Sequence, residues 1–270
     1  MPELPEVETI VNDLKPILVG RRFLSITSTH DNHVAGALDN AERVVDKAVA
    51  AVRRRGKFIC IFFENDFVMT VHLRMSGRLL WRDTDESALM FERTRIDFDA
   101  GSLRFCDMRK FGRVWISALA DYEGNTGIAR LGIEPLSKEF TLEKFVMLLM
   151  GKRGIVKKWL LDQGLIAGIG NIYADEGCFY AGVSPGAMVE ELSQLDLERL
   201  FEGVLKALRQ GVRNRGTSIS DFADAYGKSG HNQELLYVYG RGGKPCLKCG
   251  SALVKSRLAG RGTVYCGQCQ

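Results

Sequence analysis

At 270 residues, 46% of them hydrophobic, the chain is long enough to bury a sizeable core and to divide into two domains. No stretch is long and apolar enough to span a membrane, and the acidic start has none of the character of a signal peptide, which predicts a cytoplasmic protein with no membrane partner. Net charge is only +4, yet the cations cluster: Arg53 to Lys57 (RRRGK) holds four and no acid, and Arg241 to Gln270 holds six Lys or Arg and no Asp or Glu. Each cluster reads either as a solvated basic face or as the footprint of a polyanion.

The opening MPELPEVETI predicts a helix start. Pro5 suits the first turn, where a missing N–H costs nothing, and Glu6 and Glu8 suit the positive end of the helix dipole. Val7, Ile10, Val11 and Leu14 follow at helical spacing, so an amphipathic helix should run to about Leu18. That leaves Met1, Pro2 and Glu3 without a structural reason. Residues 22 to 117 read as β-rich. KFICIFFENDFVMTVHLRM suggests two strands around an Asn-Asp turn, and RIDFDAGSLRFCDMRKFGRVWIS two more around Asp-Ala-Gly-Ser. Near LGIEPLSKEF the texture changes to that of a linker, and helical periodicity takes over. Thr141 can cap one helix, KKWLLDQ belongs to another, and Leu197, Leu200, Phe201, Val204, Leu205 and Leu208 stripe a long third one. Within GLIAGIGNIYADE, Gly168 and Gly170 permit a tight turn and Asn171 is placed to cap the following helix. This segment reads either as an ordinary helical hairpin or as a helix start whose free N–H groups hold a phosphate.

Cys60, Cys106 and Cys178 stand alone among apolar neighbours and read as reduced core residues. The other four form Cys246-x2-Cys249-x16-Cys266-x2-Cys269. Two such knuckles at this separation bring four thiolates to the corners of a tetrahedron, which predicts one structural Zn²⁺ in a ribbon whose hairpin turns at Gly-Arg-Gly. Four thiolates close the site against catalysis.

Taken together, PELPEVET, the isolated Lys57, HLRMSG at 72–77, DMRKFG at 107–112, LDQGLIAGIGNIYADE at 161–176, QELLYVYGRGGKPC at 233–246 and the ribbon's GRGTVYCGQC resemble the formamidopyrimidine-DNA glycosylases, repair enzymes for oxidised purines. The resemblance spans essentially the whole chain. It implies an α+β fold: a helix and a β-sandwich domain over 1–130, a linker over 131–140, a helical helix-two-turn-helix domain over 141–232, and a zinc hairpin over 233–270. It implies a monomer that binds double-stranded DNA containing oxidised bases or abasic sites.

The resemblance also gives the first residues a purpose. Met1 would be removed, leaving the secondary amine of Pro2 as nucleophile, with Glu3 as general acid/base. Glu6 would orient the N-terminus, the alternative being a plain helix-dipole residue, and Lys57 would contact phosphate and assist catalysis. Met75, Arg109 and Phe111 would fill the gap left by a flipped nucleotide; taken alone Met75 and Phe111 read as hairpin core, and the motifs around them decide for the wedge. Asn171 and Arg261 would hold phosphates, with His72 and Lys157 as lesser backbone contacts. Residues Ser218 to Tyr226, in a polar loop that the resemblance implies closes over the flipped base, are candidates to read its edge, with no individual contact carried over. Lys110 and Ile133 depart from the family's usual Arg and Pro. Two rivals stand beside this reading: the sister endonuclease VIII group, which prefers oxidised pyrimidines, and a non-catalytic zinc-ribbon lesion binder. Leu4 and the Met/Arg/Phe set speak against the first. Pro2, Glu3 and Lys57 speak against the second.

Overall fold

The computed structural model describes residues 1–34, 36–83, 87–219 and 221–270. Contacts divide the chain into two units, Met1–Ala129 with Asn214–Gln233, and Arg130–Arg213 with Glu234–Gln270.

The first unit begins with helix α1 (Leu4–Leu18), whose Val7, Ile10, Val11, Leu14 and Leu18 are buried. Strand β1 (Phe23–Ser28), helix α2 (Leu38–Val44) and strands β2 (Val49–Arg55), β3 (Phe58–Phe63), β4 (Phe67–His72), β5 (Gly77–Arg82), β6 (Glu92–Phe98), β7 (Gly101–Asp107) and β8 (Arg113–Ala118) follow, then the short α3 (Tyr122–Thr126). The strands form two antiparallel sheets, ordered β1-β6-β7-β5 and β2-β3-β4-β8. Inward residues of both sheets, among them Phe23, Ile59, Met69, Leu103, Phe105 and Val114, share one core with α1. Alternating apolar strands must bury their faces somewhere, and two sheets with a helix do so around one centre.

The two expected hairpins are present, β3–β4 around Asn65–Asp66 and β6–β7 around Asp99–Ala100. The second stretch holds a further strand, however. β8 leaves the sheet of β6 and β7 and pairs with β4, placing His72 opposite Arg113. Residues 73–76 and 108–112 are therefore both crossovers between the sheets. They lie at one end of the sandwich, because Gly77 of β5 pairs with Asp107 of β7 just beyond them.

The second unit holds α4 (Leu142–Leu149), capped by Thr141, whose Oγ1 accepts the Lys144 N–H, then α5 (Val156–Leu160), α6 (Asn171–Ala181) and α7 (Gln194–Arg213). α6 and α7 approach so closely that a Cβ on Gly203 would lie 2.5 Å from the Gly177 carbonyl oxygen. The unit closes with the hairpin of β9 (Val254–Leu258) and β10 (Arg261–Tyr265). Its turn falls on Ala259–Gly260, both at positive φ, so Arg261 opens the strand instead of sitting in the turn. The family resemblance places residues 214–232 in the helical domain, whereas here they bond into the first unit: Thr217 N–H donates to Glu6, Arg215 to Asp13, and Trp81 N–H to the Ala225 carbonyl. No helix among the described residues is long and apolar enough to cross a membrane.

Candidate active site, nucleic-acid surfaces and metal centre

The first unit carries the candidate catalytic residues at the start of α1. Pro2 is buried behind Met1, which is half exposed. Glu3 is the helix N-cap, in extended conformation, and is itself buried. Glu6 does more than face the helix dipole: its Oε2 accepts the Glu3 N–H at 2.8 Å and its Oε1 the Thr217 N–H at 2.7 Å. A carboxylate only 1% exposed persists because such bonds replace its hydration. The backbone next to Pro2 is thus fixed both along the helix and to residue 217.

Lys57 sits in the tight β2–β3 turn after Gly56, one residue before Phe58, the register partner of His72. His72 is buried, and its Nδ1 accepts the Arg74 N–H at 3.0 Å. Burial, with the nearby charges of Arg74 and Lys57, pulls its pKa down from 6.5 to about 3. It is therefore neutral at physiological pH and shapes the turn after β4. Any contact it makes to a DNA backbone therefore comes from a neutral ring.

The two crossovers present the expected wedge residues. Met75 and Phe111 are 43% and 48% exposed, so neither is hairpin core, and the Arg109 guanidinium lies 5.0 Å from the Phe111 ring centre. What holds them is a residue that sequence reasoning passed over. Asp107, fully buried, accepts Ser76 Oγ–H at 2.6 Å and Arg109 N–H at 3.2 Å on Oδ1, and Gly112 N–H at 2.7 Å on Oδ2. His33 Nε2 lies 3.3 Å from Oδ2, and its Nδ1 lies 3.2 Å from Thr94 Oγ1. Burial alone would raise the Asp107 pKa, but the bonds from His33, Ser76 and Gly112 outweigh it and hold the carboxyl well below the usual range. One carboxylate thereby ties both crossovers together. The hint in the sequence is that Asp107 opens the DMRKFG motif at the end of β7.

Beside these crossovers lies a cavity of about 350 Å³, lined by Ser76, Arg78, Cys106 and Met108 and by Asp221 and Phe222 of the returning segment. Of the stretch expected to read a base, Ser220 lies outside the described residues. Ser218 is engaged internally, donating to Phe222 O and accepting Gly230 N–H, both at 2.9 Å.

In the second unit Asn171 is the first residue of α6, not its cap, which is Gly170. Its amide Nδ2 donates to Gly262 O at 2.9 Å, joining the helix start to the hairpin beside exposed Arg261. Lys157 departs from the sequence expectation of a DNA contact. It is completely buried, and its ammonium donates to Asp175 at 2.6 Å, Thr263 Oγ1 at 2.8 Å and Gly262 O at 3.1 Å. Three donors with three internal acceptors leave nothing for a phosphate. Asp175 also accepts Val264 N–H at 3.1 Å, so the Lys157–Asp175 pair bolts β10 to α6.

The sulfurs of Cys246, Cys249, Cys266 and Cys269 lie within 4.8 Å of one another, with Cys249–Cys266 at 3.4 Å and Cys246–Cys269 at 4.0 Å. Tetrahedral zinc with Zn–S near 2.3 Å sets sulfurs about 3.8 Å apart, so the four thiols fit one structural zinc ion with no open position.

Family models match along the chain: the formamidopyrimidine-DNA glycosylase N-terminal domain over residues 1–114, its H2TH domain over 131–223, and a zinc finger found in FPG and IleRS over 243–270. Formamidopyrimidine-DNA glycosylases of Moorella thermoacetica and Desulfitobacterium hafniense are 41% and 38% identical, over 95% and 100% of both chains. The crystal structure of MutM (Fpg) from Thermus thermophilus superposes with a TM-score of 0.90 at 34% identity, covering 100% of this chain and 98% of that one. The Lactococcus lactis Fpg, in complex with N7-benzyl-Fapy-dG-containing DNA, gives 0.91 at 30% identity, covering 100% and 99%. The chain belongs to the formamidopyrimidine-DNA glycosylase family.

Proposed function

We infer that this protein excises oxidised purines, 8-oxoguanine and formamidopyrimidines, from double-stranded DNA and then cleaves the strand at the resulting abasic site, acting as a cytoplasmic monomer on the nucleoid. The observation that carries this reading is the full-length match to the family with Pro2, Glu3 and Glu6 all present and Glu6 bonded to the Glu3 backbone.

With Met1 removed, Pro2 has a free secondary amine. An α-amino group has a pKa of about 7.7–8.0, so a useful fraction is neutral near pH 7. Its lone pair forms a bond to C1′ while the glycosidic C–N bond breaks, and the base leaves with that electron pair and takes up the proton that the amine releases. The sugar ring opens as Glu3 delivers a proton to the departing O4′, and the product is a cationic iminium. That cation acidifies the C2′–H. Loss of this proton to the Glu3 carboxylate expels the 3′ phosphate, and a second elimination expels the 5′ phosphate, leaving a one-nucleotide gap. Lys57 contributes a phosphate contact close to this chemistry.

Reaching C1′ requires flipping the nucleotide, at a cost of a few kcal/mol. Met75 and Phe111 refill the stack and Arg109 hydrogen-bonds the orphaned partner base, all from crossovers stiffened by Asp107. The exposure of two large apolar side chains at neighbouring loop tips supports this use. Asn171 and Arg261 grip phosphate from the second unit, and zinc keeps Arg261 in place. A duplex with one 8-oxoguanine opposite cytosine tests the reading. The mature protein should release the base and leave phosphates on both sides of the gap. Protein confirmed by mass to begin at Pro2, yet inert on this duplex, would overturn it.

A further inference from the structure

Arg215 lies two residues past the end of α7 and holds φ at +58°, a left-handed conformation unfavourable for a residue with a side chain. Its guanidinium nitrogen Nη2 lies between two carboxylates, 2.9 and 2.8 Å from the Asp13 oxygens and 2.5 Å from Asp224 Oδ2. The Asp13 and Asp224 side chains are 7% and 1% exposed. Two buried carboxylates this close would repel each other without a cation between them.

Both acids reach further. Asp13 Oδ2 also accepts the Ala225 N–H at 3.4 Å, and Asp224 Oδ1 closes a turn by accepting Tyr226 N–H and Lys228 N–H. The Ala225 carbonyl accepts Trp81 N–H from β5 at 2.8 Å. Asp13 lies seven residues beyond Glu6, two turns along the same face of α1. The helix that begins beside Pro2 therefore grips the 214–233 segment twice, through Glu6 at Thr217 and through Asp13 and Arg215 at Asp224 and Ala225. Between the two grips the chain supplies Asp221, Phe222 and Ala223 to the wall of the 350 Å³ cavity.

We propose that the Asp13–Arg215–Asp224 bridge is a positioning clamp for base recognition: it holds this cavity wall in register with α1, so that a damaged purine is seated for excision. The inference rests on the glycosylase reading above. Without the guanidinium, the two acids push the segment from the helix and the wall loses its register, while the N-terminal amine and Glu3 remain as they were. An abasic strand presents no base to seat, so its cleavage does not need the clamp.

The test compares single-turnover base excision from an 8-oxoguanine duplex with scission of a preformed abasic duplex, for wild type, Arg215→Gly, Arg215→Lys and Asp13→Asn. Glycine accepts φ +58°, so Arg215→Gly removes the bridge while easing the backbone. We expect Arg215→Gly and Asp13→Asn to lower excision about tenfold, as a small misplacement does, with abasic scission within about twofold of wild type. Arg215→Lys keeps the charge but lacks the planar fork, and should recover part of the loss. Equal losses on both substrates would reduce the bridge to a general structural element and overturn the clamp. Unchanged excision in both Arg215→Gly and Asp13→Asn would do so as well. A wild-type protein that cleaves abasic DNA but releases no oxidised purine would instead overturn the glycosylase reading on which the clamp rests.

Discussion

Replacing Lys157 with Met separates two roles that one residue could have. The ammonium lies in a fully buried site and donates three bonds, to Asp175, Thr263 and Gly262. Methionine fills most of the volume but leaves the buried Asp175 carboxylate without its cation. Removing one partner of a buried ion pair costs about 3–5 kcal/mol, chiefly because the other charge stays behind uncompensated. The cost falls on the junction of α6 with β10, so Lys157→Met should unfold the second unit earlier in denaturant and release zinc faster. The double variant Lys157→Met, Asp175→Asn should recover much of the loss, since a neutral amide needs no counter-ion. Denaturation followed by circular dichroism, with zinc release read by a chromogenic chelator, measures both. If Lys157→Met matched wild type within about 1 kcal/mol and held its zinc, while the salt slope of DNA binding fell by about one, Lys157 would be a phosphate contact and the structural assignment wrong.

Chelating the zinc should unfold the β9–β10 hairpin and abolish DNA binding while the β-sandwich keeps its circular dichroism; undiminished affinity without metal would remove Arg261 from the DNA grip. Glu3→Gln should slow base release by about 10²–10⁴, the usual worth of a general acid or base, with DNA binding retained; full glycosylase activity in that variant would exclude Glu3 from the mechanism. His72, with its pKa lowered to about 3, gives stability a defined pH dependence. Between pH 6.5 and 3 the unfolded chain takes up a proton that the folded chain refuses, so stability declines as pH falls, by up to about 1.4 kcal/mol per unit, and this contribution is flat above 6.5. His72→Asn, whose Oδ1 can accept the Arg74 N–H, should remove that slope, and an unaltered slope would show that the histidine is not its source.

Patterns confined to neighbouring residues were the ones readable in advance. The helix to Leu18, the β3–β4 and β6–β7 hairpins, the striped α7 and the zinc knuckles all announce themselves by period, turn chemistry or spacing. Pairings at long range left no such mark. β8 reads as the tail of a strand pair, yet it crosses to the other sheet because His72 and its neighbours on β4 offer an open edge. The segment after α7 looks like the end of a helical domain, but its N–H groups and Arg215 find buried carboxylates on α1. Lys157 stands beside Lys158 in what reads simply as a helix, and only the partner 18 residues away at Asp175 makes it internal. Asp107 falls inside a recognisable motif, but its work of joining two crossovers appears only once Ser76 and Gly112 are brought to it.

The central claim is that a free Pro2 amine attacks the sugar of an oxidised purine nucleotide. Borohydride reduction tests it directly, because it converts the iminium to a stable amine and leaves protein and DNA covalently joined. A duplex with one 8-oxoguanine opposite cytosine should give an adduct that peptide mapping places on Pro2, in greater yield than a matched thymine-glycol duplex. An adduct only with thymine glycol would move the activity to oxidised pyrimidines. No adduct with either duplex, from protein that binds both and begins at Pro2, would contradict the account and leave a lesion-binding protein in its place.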